Sequence, residues 1–165
     1  MSSMRYSVAI MLSAAFLFGN SVGCNKDQSA IADKTNVYHN GGNAADNTKG
    51  NQMKIKINSK TFNATLFDNP TAAAFKAMLP LTIKMDGLNG NEKKYDLPKS
   101  LPTDSYKPTK INNGDLMIWG DNTLVLFYKT FPTVYSYTKL GRIDDPAGLE
   151  EAVGAGSVTV TFELE

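Results

Sequence analysis

Five consecutive apolar residues, Leu124-Val-Leu-Phe-Tyr128, constrain this chain more than any other feature. A strand with one wet face alternates apolar and polar side chains, so a strand that is apolar throughout must be covered on both faces. Residues 157–164, Ser-Val-Thr-Val-Thr-Phe-Glu-Leu, alternate strictly instead, so one face of that strand meets water. Around these two the chain reads as short strands separated by turn residues. Residues 53–57 alternate, 61–66 are β-type, and Asn58-Ser59-Lys60 between them suits a hairpin turn. Residues 81–85 alternate again, Gly87-Leu-Asn-Gly-Asn91 is a turn cluster, and 92–97 return as a strand. Residues 115–119 and 123–129 form the clearest hairpin, with Gly120-Asp121-Asn122 at its tip. Residues 98–108 hold three prolines and no period, which predicts an irregular loop.

Two short helices interrupt the strands. Asn69 precedes Pro70 and an alanine-rich run over residues 72–79, so Asn69 caps the free amides and Pro70 takes the first helical position. Phe75, Met78 and Leu79 share one face, and Pro80 ends the helix. Leu149 and Val153 mark a second helix capped by Asp145, with Gly154 and Gly156 releasing the chain into the last strand. Six to eight strands with two short helices predict a mainly β fold, a compact closed barrel with helices over its openings.

This domain occupies residues 53–165 and carries 13 basic and 13 acidic side chains. The 52 residues before it are different material. Residues 1–23 start with Arg5 and run for eleven uncharged residues, 8–18, which is too short to span a bilayer and reads as a signal peptide. A buried N-terminal helix is the other reading. The only cysteine follows at once, in Ser21-Val22-Gly23-Cys24, and this resembles the lipobox of bacterial lipoproteins, although Ser21 stands where leucine is usual. The resemblance implies lipidation of Cys24 and anchoring to the cell envelope; a free thiol after ordinary cleavage is the alternative. Residues 25–52 are rich in Asn, Asp, Lys and Thr, lack a period and read as a polar tether, whose 28 residues would reach roughly 30 Å as a flexible coil. His39, the only histidine, falls in that tether.

Four stretches, Asp68-Asn-Pro-Thr-Ala72, Gly114-Asp-Leu-Met-Ile118, Leu124-Val-Leu-Phe-Tyr128 and Ser136-Tyr-Thr-Lys-Leu-Gly-Arg142, resemble the bacterial cyclophilin-like proteins in content and order. The resemblance covers residues 53–165 and implies a closed barrel of about eight strands with two capping helices. It does not transmit an activity. Cyclophilins that isomerise prolyl bonds use an Arg beside an aromatic floor together with Gln, Trp and His. Residues 53–165 contain one Arg, Arg142, one Trp, Trp119, and neither Gln nor His.

The candidate ligand-binding residues are Arg142, Tyr135, Tyr137, Trp119 and Phe131. Arg142 follows an aromatic stretch, where a guanidinium can stack or clamp a carboxylate; an ion pair with Asp144 or Asp145 is the structural alternative. Tyr135 and Tyr137 lie in a segment that reads as less buried, whereas the aromatics of 124–128 read as barrel filling. Asp144 and Asp145 read as a turn and helix cap, and Glu92-Lys93-Lys94 as a solvated strand edge. A net charge of +1 offers no field for nucleic acid. No catalytic set, metal constellation or phosphate-cradling glycine loop stands out, so no cofactor is expected. The expected partner is a small molecule or peptide segment, with the membrane reached only through the lipid. A prolyl isomerase with a reduced site on Arg142, Trp119 or Phe131, and an envelope interaction module, are the alternatives.

Overall fold

In the first hairpin, strands β1 (Gln52–Ile57) and β2 (Lys60–Leu66) pair antiparallel about a turn in which Asn58 takes φ of 53°. The computed structural model describes residues 50–165. The signal segment, Cys24, His39 and the tether up to residue 49 lie outside the described residues. Helix α1 (Pro70–Lys76) follows; the Asn69 side chain accepts from the Ala72 amide at 2.8 Å with Pro70 at the first position, as the sequence predicts. The α-helix ends at Lys76, short of the expected Leu79, with turns through Met78 and Leu79 to the Leu79–Pro80 peptide.

Strands β3 (Leu81–Leu88), β4 (Glu92–Asp96), β5 (Lys110–Ile111), β6 (Asp115–Trp119), β7 (Thr123–Phe127), β8 (Phe131–Pro132) and β9 (Thr138–Ile143) come next. Helix α2 (Leu149–Val153) and strand β10 (Val158–Leu164) complete the domain. Eight strands close into an antiparallel barrel in the order β1-β10-β3-β4-β7-β6-β9-β2, and β5 and β8 pair separately as a two-stranded ribbon. The barrel count matches the expectation; the ribbon is additional. Gly141 lets β9 meet β2, because a Cβ there would stand 2.7 Å from the Thr65 carbonyl oxygen.

Two apolar clusters result, and β7 belongs to both. Leu124, Leu126 and Tyr128 face the barrel interior with Met53, Ile55, Phe62, Ile83, Leu116 and Phe162, while Phe75 of α1 meets Phe162 edge-on at 5.7 Å. Val125 and Phe127 instead join Ile111, Met117 and Tyr137 in a second cluster, with Phe131 packed against it. The all-apolar strand is therefore covered on both faces, but its outward residues fill a second layer beneath the ribbon rather than the barrel.

Two further expectations change. Asp145 does not cap α2: its carboxylate accepts from the Ala147 amide two residues on, and the cap is Gly148, whose φ of 76° lies in the left-handed region that favours glycine. The segment Glu92-Lys93-Lys94 is not a solvated edge. In a closed barrel β4 pairs with β3 and β7, so Glu92 and Lys93 are buried. Lys93 shares its face with Tyr95 and Leu97, and its ammonium donates to the carbonyls of Gly154 and Gly156 at 2.8 and 2.6 Å. It thus ties β4 to the end of α2, and burial lowers its pKa.

Candidate functional site

Phe127 positions the site. Its ring, wholly buried on the outer wall of the barrel, meets Phe131 at 5.8 Å and Tyr137 edge-on at 5.5 Å. These two contacts fasten residues 131–137 to β7, and a cleft of about 710 Å³ lies between that segment and the outward face of β4, β7 and β6. One wall is the outward face of the barrel, with Glu92 and Lys94 on β4, Thr123 and Val125 on β7, and Trp119 at the end of β6. The other runs from Phe131 through Val134 and Tyr135 to Tyr137, and Leu88, Asn89 and Asn91 close one end. The volume falls in the range of small-molecule sites.

The distribution of exposed apolar groups is uneven. Among the described residues five large apolar side chains are exposed, and four of them, Leu88, Trp119, Val134 and Tyr135, line this cleft. Scattered exposed apolar groups are ordinary on a protein surface; here four of the five are gathered into one concave site.

The cleft also holds polar groups with few partners. Glu92 is only 7% exposed and its carboxylate accepts one hydrogen bond, from Asn89 Nδ2 at 3.1 Å. Burial pushes its pKa up, and the Asn89 hydrogen bond partly opposes this. The Tyr137 hydroxyl is pushed up by burial and then by the charge of Glu92. The buried side-chain oxygen of Asn91 has no hydrogen-bond donor.

Of the five sequence candidates, the fold gathers Trp119, Phe131, Tyr135 and Tyr137 into this cleft, and Arg142 stands apart. Tyr137 is buried rather than loosely covered. Arg142 is exposed on β9 opposite Asp115, at the far end of β6 from Trp119, a separation of roughly 13 Å at the rise of a strand. Among the described residues it forms no ion pair with Asp144 or Asp145; Asp144 instead accepts from the Thr65 hydroxyl at 2.8 Å. Sequence reasoning missed Glu92, Asn89 and Asn91. No local signal could have found Glu92: period two puts it on one face with Lys94 but does not say what lies against that face.

The sequence matches the model of the cyclophilin-like family over residues 55–163. The chain belongs to the cyclophilin-like family. Its fold is similar to the solution structure of a hypothetical protein from Archaeoglobus fulgidus, with a TM-score of 0.51 and 17% identity over 73% of this chain and 99% of that one. No curated protein matches the sequence. In this cyclophilin-like barrel the one Arg of residues 53–165 lies off the aromatic cleft, whose charged lining residues are Glu92 and Lys94.

Proposed function

We propose that this cyclophilin-like protein is exported, anchored to the cell envelope through lipid on Cys24, and binds a small ligand or peptide segment in the aromatic cleft without chemistry. The gathering of four of the five exposed large apolar side chains into that cleft carries the binding reading. The separation of Arg142 from Trp119 and Phe131 weighs against the reduced isomerase. The short apolar segment and the single cysteine behind it support anchoring, because several acyl chains on one residue hold a protein stably whereas one does not.

Two measurements test the two halves. Mass spectrometry of the membrane-extracted protein should find acyl chains on Cys24, and an unmodified thiol there overturns the anchoring. A thermal-shift screen of the full chain against small aromatic molecules should find compounds that raise the melting temperature for the wild type and not for Trp119→Ala. Proline-isomerase turnover on Ala-Pro peptides that Arg142→Ala abolishes would replace binding with catalysis.

A further inference from the structure

A carboxylate so deeply covered is normally paired, since taking an ion out of water is unfavourable unless a countercharge or several donors replace the lost hydration. Glu92 has neither. Among the described residues it takes part in no ion pair, and Asn89 supplies its single hydrogen bond. Neither neighbouring lysine pairs with it. Lys93 points to the opposite face and is held by two carbonyls, and Lys94, which lines the same cleft, is drawn to Asp96 at 3.7 Å. Next to Glu92 in the chain, Asn91 turns a buried oxygen toward no donor. Around Glu92 the cleft therefore offers acceptors that no charged donor reaches, Lys94 being the one cation among its lining residues.

The rest of the cleft suits the same ligand. Exposed aromatic rings can cover an apolar or aromatic stem, and Trp119 and Tyr135 are both exposed in the lining of the cleft. Apolar groups such as Leu88 and Val125 cover a hydrocarbon stem. A metal ion would need more oxygen ligands, and among the described residues no group of three acidic, His or Cys side chains is gathered anywhere.

We propose that the cleft takes a protonated amine on an apolar or aromatic stem, with the ammonium on Glu92 and the stem between Trp119 and Tyr135. This rests on the reading of the cleft as a binding site and names the ligand class. A free amine and a lysine side chain of a peptide share this chemistry, so both are tested.

Trp119 is the only tryptophan of the chain, so its fluorescence reports the cleft directly. The full-length protein is titrated at pH 7.5 with phenethylammonium, with its neutral counterpart 2-phenylethanol, and with the peptide acetyl-Phe-Lys-amide beside acetyl-Phe-norleucine-amide. We expect saturable binding of at least one cation, at least tenfold tighter than its neutral counterpart, and the pair showing it identifies the source. In Glu92→Gln that preference should fall to less than twofold; a circular-dichroism melt verifies that the variant is folded. Should Glu92→Gln unfold, Glu92→Asp, which keeps the charge but withdraws it, is expected to reduce the preference. Equal binding of cation and neutral probe, or a preference that survives Glu92→Gln, overturns the amine and leaves the cleft as a binding site. Binding of no aromatic probe overturns both.

Discussion

Phe127 and Tyr137 meet edge to face, ring centroids 5.5 Å apart at 89°, and this contact fastens the outer wall of the barrel to the segment across the cleft. The edge of one ring presents positive hydrogens to the negative face of the other, a geometry that adds to what burial alone contributes. It also explains how a barrel of this size carries a concave site on its outside. The strand that fills the interior with Leu124 and Leu126 turns Val125 and Phe127 outward to support a second layer.

Phe127→Ala should therefore act on both layers. Truncating a fully buried phenylalanine removes about 3–5 kcal/mol of stability, measured by urea denaturation. Amide exchange should show residues 131–137 losing protection before the barrel strands do. Equal loss everywhere would mean that the second layer has no independent opening.

Gly141→Ala tests the closure of the barrel. The added methyl would meet the Thr65 carbonyl oxygen and Leu66 Cα, both backbone atoms that cannot swing aside. A loss of about 2–3 kcal/mol is expected from such overpacking. Gly120→Ala, at a hairpin tip where nothing stands within 4 Å but φ is 63°, should lose about 1 kcal/mol from backbone strain alone.

Lys93→Met removes the donor to the Gly154 and Gly156 carbonyls and should reduce stability by about 2 kcal/mol at pH 7. Because burial depresses the lysine's pKa, the folded state holds its proton less tightly than the unfolded chain. The wild type should gain stability relative to the variant as pH climbs through the folded value toward the ordinary lysine value of 10.5. Chemical denaturation at pH 7 and pH 10 measures both.

Glu92→Gln should have the opposite profile among acids. The raised pKa means that the folded state binds this proton more tightly than the unfolded chain, so the carboxyl favours folding below its ordinary value of 4.5 and loses that advantage as pH rises through the folded value. Glutamine lacks the charge. The variant should match the wild type at pH 4 and melt higher at pH 7.5 in the absence of ligand. For the same reason, affinity for an amine should fall on acidification at a higher pH than for an ordinary glutamate.

Arg142→Ala should leave binding of aromatic probes within twofold of the wild type, because β6 separates it from Trp119. Trp119→Ala should weaken that binding at least tenfold, read by calorimetry since the variant has no tryptophan fluorescence.

Local signals carried much of the fold. The Asn69-Pro70 start, the Asn58 turn and the hairpin about residues 120–122 each depend on a few neighbouring residues, and all are found. The alternation of β10 appears as buried Val158, Val160 and Phe162 between more exposed threonines. What depends on position around the barrel was not legible. Period two says which residues share a face, not which strand lies alongside. The three charges at 92–94 therefore read as a wet edge until β3 and β7 flank them, and Arg142 read as a neighbour of Tyr137 because only four residues stand between them in sequence. Tyr135 was legible through its expected exposure, whereas Tyr137, expected to be less buried, is buried; the carboxylate was not legible, since nothing local distinguishes a buried glutamate from a solvated one.

The β5–β8 ribbon is only two residue pairs long, and beyond it residues 133 and 137 are held by backbone hydrogen bonds to Thr109 and Tyr106. The opposite wall is three strands laddered on both sides. One wall of the cleft is thus fixed along its length and the other fastened at two points. If the proposed binding holds, Glu92 and Trp119 on the first wall would set where a ligand's charge and length fall. Val134 and Tyr135, between the two fastenings of the second, would set how thick a ligand fits. Such a site would sort more strictly by the position of one end of a molecule than by the girth of the rest.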